Sequence, residues 1–190
     1  MRSLLYLHGF RSSPSSFKAR CMQRVFEQLG ESEKFICPQL PPSPSEAFAL
    51  ARQLVSEFSA DGFAVVGSSL GGFYATAIAE ATGCRAVLLN PAIWPARDLA
   101  QYIGEQTAWH SDDRFFFQPA FIDELQALTV ETITRPERYC LIAATGDEVL
   151  DWREMTARYA GATQRIIEGS DHALSDFAQY IDEVVSFCER

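Results

Sequence analysis

The sequence predicts a single α/β domain with a mostly parallel sheet of about six strands and helices on both faces. Short, nearly continuous apolar runs alternate with segments of helical spacing, as in parallel sheets that are covered on both sides. The chain has 190 residues, the length of one domain, so we expect residues 1–190 to fold as one unit. Hydrophobic residues make up 47% and charged residues 22%, which supplies a sizeable core and excludes a disordered chain.

The individual elements follow from the two periods. Six apolar runs are predicted to be buried strands: residues 3–7, 35–40, 62–67, 85–90, 139–145 and 164–168. The second helix has a start signal, because Ser43 can cap it, Pro44 suits its first position and Glu46 completes a capping box. The predicted buried faces are Phe17, Cys21, Val25 and Leu29 in the first helix, Ala47, Leu50, Leu54 and Phe58 in the second, and Phe177, Tyr180, Ile181, Val184 and Cys188 in the last.

One segment, from about residue 93 to residue 136, interrupts this alternation. It is rich in large aromatic side chains: Trp94, Trp109, Phe115, Phe116, Phe117 and Phe121. A loop of this length inside a compact domain is usually a lid or an insertion. The alternative is a helix pair of poor periodicity that covers the sheet. The two interpretations are compatible, and both stay open.

The acidic composition narrows the possible partners. With a formal net charge of −9, the chain repels phosphate backbones and anionic lipid, so we expect no nucleic-acid partner. It has no run of about 18 apolar residues, which predicts the absence of a membrane span. The apolar stretch at the N-terminus is too short for a signal peptide, and the expected location is cytoplasmic.

Neither the cysteines nor the histidines predict a metal site. The five cysteines are widely spaced and form no CxxC pair, which argues against a disulfide framework and against zinc. The three histidines are His8, His110 and His172, too few for a histidine cluster. His110 is expected to be solvated, and the neighbouring pair Asp112–Asp113 to be ordinary acidic surface.

The strongest chemical signal is the stretch 67–72, Gly-Ser-Ser-Leu-Gly-Gly. It contains the pattern G-x-S-x-G between an apolar run and a helical pattern, which is the context of a nucleophilic serine on a sharp strand-to-helix turn. The pattern places Ser69, rather than Ser68, at the tip, where small neighbours let strand and helix approach. The alternative is an ordinary glycine-rich turn. A phosphate-binding loop is excluded because no lysine follows the glycines.

A nucleophilic serine needs a base and an acid that orients the base. Asp147 follows the fifth predicted strand and His172 follows the sixth, so both are expected at the carboxyl edge of the sheet, where ligands bind. The chain order of serine, acid and histidine is that of α/β-hydrolases. Asp151 and Asp171 are rival acids. Asp151 is expected to cap the next helix, and the side chain of Asp171 to diverge from its neighbour His172.

Further candidates surround these three residues. The N–H group of Leu70 and that of Phe10, after the first strand, are candidates for stabilising an oxyanion. His8 is expected to hold this loop by packing and hydrogen bonds rather than to act as a base. The candidate substrate pocket combines a cation with large apolar side chains: Arg11, Trp109, Phe116 and Phe117.

Several stretches together resemble the YqiA-like family of small bacterial serine esterases in the α/β-hydrolase superfamily. The resemblance is carried by residues 4–14, 38–42, 66–72, 90–92 and 145–151. It implies a compact α/β-hydrolase with a short lid and a serine esterase with Ser69, Asp147 and His172 as its triad. It also implies activity on simple acyl esters, with fatty acyl thioesters of coenzyme A as a further class.

The expected function is therefore hydrolysis of a small acyl ester or thioester through an acyl-enzyme intermediate, with no cofactor. Two alternatives stay open. In the first alternative, the main role of the chain is that of an acyl-CoA thioesterase; the net charge of −9 argues mildly against it. Or the chain is a non-catalytic binding module of the same fold, against which the complete set of serine, aspartate and histidine argues.

Overall fold

The computed structural model describes residues 1–109 and 113–190. Its strands are β1 Ser3–Leu7, β2 Phe35–Ile36, β3 Phe63–Ser68, β4 Arg85–Leu89, β5 Gly104–Thr107, β6 Arg114–Phe117, β7 Tyr139–Ala144 and β8 Thr163–Ile167. Its α-helices are α1 Phe17–Gln28, α2 Pro44–Leu54, α3 Leu70–Thr82, α4 Pro95–Leu99, α5 Ala120–Ala127, α6 Trp152–Arg158 and α7 Ile181–Glu189. Short 3₁₀ turns cover Ser32–Lys34, Ala100–Tyr102, Pro136–Arg138 and Phe177–Gln179.

Six strands form one parallel sheet in the order β2-β1-β3-β4-β7-β8. The predicted fold class is confirmed: helices pack on both faces of a six-stranded parallel sheet. The chain runs from β1 outward to β2 and then crosses back to β3 on the other side of β1. The carboxyl ends of β1 and β3 therefore meet where the strand order reverses, the place at which open α/β sheets bind ligands.

Side chains that alternate along each strand build a separate core on each face. Leu4 and Tyr6 of β1 pack with α1 and α7, whereas Leu5 and Leu7 pack with α2, α3 and α6 on the opposite face. None of the helices in the described ranges has both the length and the apolar composition that crossing a bilayer requires.

Two predicted strands differ from the structure. The strand expected over residues 35–40 ends at Ile36, because Pro38 has no N–H group for the ladder. Leu40 instead donates its N–H group to Nε2 of His8 at 3.0 Å. The last strand, β8, lies at the edge of the sheet, and its first four residues are exposed rather than buried.

Of the predictions for the first two helices, the cap of α2 is right and the buried face of α1 is partly wrong. The cap of α2 is confirmed, since the Ser43 hydroxyl accepts the N–H group of Glu46 at 3.2 Å. The predicted buried face of α1 is wrong at its ends, because Phe17 and Leu29 are 51% and 56% exposed. A strict step of four residues turns about 40° too far around a helix of 3.6 residues per turn, so the stripe drifts off the buried face. Ala19, Met22 and Phe26 are buried instead.

The 93–136 segment contains α4, the antiparallel hairpin β5–β6 and α5. The hairpin belongs to neither of the two interpretations drawn from the sequence. Leu99, Phe117, Phe121 and Leu125 bury their side chains in the core on the α3 face of the sheet. The segment is therefore part of the packed domain. His110 and Asp112 lie outside the described residues.

Candidate functional site

Ser69 lies at the sharp turn between β3 and α3, and its backbone is strained. Its φ of 54° and ψ of −121° are unfavourable for any residue other than glycine. The turn is fixed from outside, because the N–H group of Ser69 donates to Leu89 of β4 at 3.0 Å and its carbonyl accepts from Ala92 at 3.0 Å. The side chain is therefore presented at the carboxyl edge of the sheet.

The glycines beside Ser69 permit a very close approach of strand, helix and first loop. A Cβ atom on Gly67 would lie 2.2 Å from the carbonyl oxygen of Gly71. One on Gly71 would lie 1.9 Å from the carbonyl oxygen of Leu7. Both distances are far inside van der Waals contact, so any side chain at either position would force β1, β3 and α3 apart.

Three side chains from three different loops form a continuous chain of hydrogen bonds. His172 Nε2 lies 3.0 Å from Ser69 Oγ, and His172 Nδ1 lies 2.8 Å from Asp147 Oδ2. The Asp147 side chain is fully buried, whereas that of His172 is 21% exposed. The structure thus brings together the serine, histidine and aspartate singled out from the sequence, with one ring nitrogen facing each partner.

The loop after β7 fixes the orientation of the Asp147 carboxylate. Its Oδ1 accepts the N–H groups of Val149 and Leu150, each at 2.8 Å, which leaves Oδ2 directed at the imidazole. The two rival acids have other partners. Asp151 caps α6 through the N–H group of Arg153, as predicted. The Asp171 carboxylate bonds to the hydroxyl and N–H group of Ser175, which holds the pKa of that carboxyl below its usual value.

Asn90 has a part in this arrangement that sequence reasoning missed. It lies at the end of β4, fully buried, with a positive φ of 42°. Its Oδ1 accepts the N–H group of Ala144 at 2.8 Å, and its Nδ2 donates to the carbonyls of Asp171 and His172 at 3.0 and 3.1 Å. Asn90 therefore ties the ends of β4 and β7 to the histidine loop. The available signal was an Asn-Pro pair directly after a strand, which favours a turn and tolerates positive φ.

The loop after β1 lies against the serine. A Cβ atom on Gly9 would lie 3.1 Å from Cβ of Ser69, so this backbone passes directly beside the Ser69 turn and carries Phe10 next to it. His8 is buried, and its ring joins the N–H group of Leu40 to the carbonyl of Gly9, both at 3.0 Å. Nε2 accepts from Leu40, so Nδ1 carries the proton and donates to Gly9. The expectation that His8 holds this loop is confirmed.

Two grooves open on either side of the β1–α1 loop. The first, here the Ser69 groove, measures about 740 Å³ and is lined by Ser69, His172 and Lys18 among others. Phe17, Trp109 and Val149, three large apolar side chains that are more than half exposed, form its rim. Burial lowers the pKa of Lys18 to about 8, although the carboxylates of Asp171 and Asp147 oppose this shift.

The second, here the adjacent groove, measures about 680 Å³. Its lining includes Phe10 and Leu70, the two residues whose N–H groups are the oxyanion candidates. Its floor is apolar, with Leu50 and Tyr74 among the lining residues, and Arg11 and Phe115 lie along its walls.

The four candidate pocket residues separate. Arg11 lines the adjacent groove and Trp109 the Ser69 groove, and the Arg11 guanidinium stacks 4.3 Å from the centre of the Trp109 ring. Phe116 and Phe117 line neither groove, which corrects that expectation. Alternate side chains of β6 point to opposite sides, so Phe117 is buried in the core and Phe116 is 55% exposed. Phe115 is the phenylalanine of this run that reaches a groove.

The fold is shared with α/β hydrolases. The mouse alpha/beta hydrolase domain-containing protein 10 superposes with a TM-score of 0.70 at 16% identity, over 96% of this chain and 89% of that chain. The esterase domain of a Rhodothermus marinus protein gives 0.65 at 20% identity, over 96% and 83%. Tomato methylketone synthase I, in complex with 2-tridecanone, gives 0.70 at 12% identity, over 97% and 96%. At these identities the likeness establishes the fold alone.

The sequence itself supplies the family. The stretches that resemble the YqiA-like family include the serine turn at 66–72 and the Asp147 loop at 145–151. A protein-family model matches a range of the chain that contains both stretches, which confirms the resemblance. That match runs from residue 3 in β1 to residue 189 in α7, so the chain belongs to the uncharacterised protein family UPF0227.

Proposed function

We propose that the protein is a serine hydrolase that cleaves simple carboxylic acyl esters. Ser69 is the nucleophile, His172 the base and Asp147 the acid that orients the base. The observation that carries the proposal is the unbroken chain of hydrogen bonds from Asp147 through both nitrogens of His172 to Ser69, at 2.8 and 3.0 Å. The strained backbone of Ser69 on a strand-to-helix turn supports the same role, since strain of this kind concentrates at active sites.

The first half-reaction forms an acyl-enzyme. Ser69 Oγ bonds to the carbonyl carbon while His172 Nε2 takes the hydroxyl proton. The negative charge that moves onto the carbonyl oxygen is stabilised by the N–H groups of Leu70 and Phe10. The bond to the alcohol oxygen then breaks, and His172 gives this oxygen the proton.

In the second half-reaction, water repeats the sequence. His172 takes a proton from water, whose oxygen bonds to the acyl carbon. The bond to Ser69 Oγ breaks, the serine recovers its proton, and a carboxylic acid leaves. Asp147 accepts a hydrogen bond from Nδ1 throughout and stabilises the imidazolium each time it forms. These steps need no cofactor.

The two grooves favour apolar substituents on both sides of the ester. The alcohol oxygen must meet His172, so the alcohol part occupies the Ser69 groove, whose rim of Phe17, Trp109 and Val149 is apolar. The acyl part extends past Phe10 into the adjacent groove, over its apolar floor. Small-molecule sites commonly have this character, with apolar walls and a few well-placed polar groups.

The test compares two adjacent serines. Ser69→Ala should lower kcat on a short-chain chromogenic ester by roughly 10⁴-fold or more, because no other group supplies the nucleophile. Ser68→Ala is the matched control and should retain most of the activity. Mass spectrometry after treatment with an organophosphate should locate the adduct on Ser69. An adduct on Ser68, or full activity of Ser69→Ala, would refute the assignment.

A panel of substrates separates the two alternatives from the proposal. A panel of esters and thioesters with equal acyl chains compares the two leaving groups directly. A kcat/KM that favours thioesters at every chain length would make the protein a thioesterase. If the folded wild-type protein neither turns over any member of the panel nor reacts with the organophosphate, it is a binding module.

A further inference from the structure

Lys18 occupies an unusual environment for a lysine. It is the second residue of α1, and only 9% of the residue is exposed, whereas lysine is almost never so deeply buried unless it is paired. A cation near a helix N-terminus is also disfavoured by the helix dipole. Burial and the dipole both oppose a charge here, so this lysine does not serve the stability of α1 itself.

The one hydrogen bond that the side chain of Lys18 makes within the described ranges leads to the histidine loop. Its Nζ donates to the carbonyl oxygen of Ala173, the residue directly after His172. Asn90 donates to the two preceding carbonyls, and Glu148 accepts the N–H group of His172 at 3.0 Å. Three consecutive carbonyls of an irregular loop are thus held by two side chains from different parts of the fold.

This loop needs such support because its backbone is strained on both sides of His172. Ser170 and Leu174 have φ values of 58° and 49°, in the left-handed region that favours glycine. Strained residues persist only where their surroundings over-determine them. The Lys18 hydrogen bond attaches directly before Leu174, at the end of the loop that Asn90 does not reach.

The charges around Lys18 connect it to the same residues. The carboxylates whose charges favour its ammonium form are those of Asp171 and Asp147, one from each loop that flanks the imidazole. Glu148 and the imidazole of His172 line the Ser69 groove with it, as does Tyr6 from β1. The buried ammonium therefore attracts both the aspartate loop and the histidine loop towards α1.

We propose that Lys18 is a positioning residue for His172. Its ammonium holds the carbonyl of Ala173 and thereby sets the angle at which Nε2 approaches Ser69. The inference rests on the proposed function, in which His172 is the base. Lys18 does not touch the reacting atoms; it acts through the loop that carries the imidazole.

Two substitutions separate this role from simple packing. Lys18→Met keeps the aliphatic chain and removes the donor, whereas Lys18→Gln keeps an N–H donor and removes the charge. The chain has one other lysine, Lys34, which pairs with Glu31 at 2.9 Å near the surface, so Lys34→Met is the matched control. We expect Lys18→Met to lower kcat by about 10- to 100-fold while KM changes less than about threefold, since misplacement of the base by about 1 Å has this effect. Lys18→Gln should recover at least a third of the wild-type kcat, and Lys34→Met should match the wild type.

The readout is turnover per reactive serine, with active sites counted by organophosphate labelling and folding checked by thermal unfolding. A loss of labelled sites with normal turnover in the remaining ones would mean that Lys18 only stabilises the fold, and would overturn the inference. So would a Lys18→Met variant with wild-type kcat, or a Lys18→Gln variant as inactive as Lys18→Met. If the wild-type protein neither labels at Ser69 nor turns over an ester, the proposed function has failed rather than the role of Lys18.

Discussion

The catalytic candidates at the carboxyl edge of the sheet are fixed by hydrogen bonds of defined direction, whereas the 93–136 segment buries aromatic and aliphatic side chains in the core. At the edge, each of Asp147, His172 and Asn90 has at least two polar partners. In the segment, the ring of Phe117 lies between those of Phe10 and Phe121, with centroid distances of 5.1 and 5.5 Å. A hydrogen bond holds the reacting atom of a side chain in one position, while aromatic packing contributes stability and tolerates small shifts of the rings. Changes at the edge should therefore act on turnover, and changes in the segment on stability.

The largest effect is expected at the edge, in Asp147→Asn. The amide can present its N–H₂ group to His172 and so favour the wrong tautomer, which should lower kcat by about 10⁴-fold. Oδ1 still accepts from Val149 and Leu150, so the variant should fold normally. Steady-state kinetics together with a thermal unfolding curve measure both quantities.

Asp171→Asn is the matched control, because Asp171 lies beside His172 yet bonds to Ser175. It should retain substantial turnover. If Asp147→Asn keeps a near-normal kcat, or if Asp171→Asn is the inactive variant, Asp147 is not the acid that orients the base.

Phe117→Ala should have the next largest effect, and on stability rather than turnover. Phe117 is 1% exposed, and truncation of a buried phenylalanine typically costs about 3–5 kcal/mol of unfolding free energy. Phe116, one residue earlier, is 55% exposed, so Phe116→Ala should change stability by at most about 0.5 kcal/mol. Urea unfolding of the two variants measures the difference. Equal stabilities would show that the alternation along β6 is not as described.

These two phenylalanines also show where sequence reasoning ends. The order of strands and loops predicts which residues reach the carboxyl edge, because parallel strands all point the same way. Ser69, Asp147 and His172 could therefore be singled out from their places after predicted strands, together with the G-x-S-x-G pattern and the chain order of serine, acid and histidine. In the run Phe115–Phe117, three identical residues give no sign of which one faces the groove, since that depends on the register of a hairpin absent from the prediction. The environment of Lys18 was equally hidden, because it depends on a loop 155 residues further along the chain.

The smallest expected effect is a difference between the two lysines in the pH at which each loses its proton. Burial lowers the pKa of Lys18 to about 8, whereas a hydrogen bond to Glu31 raises the pKa of Lys34 above its ordinary value. Labelling with ¹³C-lysine gives one Cε signal per lysine, and Lys34→Met assigns them. We expect one signal to titrate near pH 8 and the other above the ordinary pKa of a lysine.

The same difference should appear in stability, with opposite signs. An unfolded lysine loses its proton near pH 10.4, so between about pH 8 and 10.4 the unfolded chain binds a proton that folded Lys18 has lost. The unfolding free energy of the wild type should therefore rise with pH across this window relative to Lys18→Met, by at most about 3 kcal/mol. Below pH 8 the cost of the buried ammonium is fully present, and Lys18→Met should be at least as stable as the wild type.

For Lys34 the folded pKa is the higher one, so its contribution is present at neutral pH and is lost as the pH rises through that value. If the difference in unfolding free energy between the wild type and Lys18→Met stays constant from pH 7.5 to pH 10, the ammonium is well solvated. The hydrogen bond to Ala173 then does not hold a buried charge.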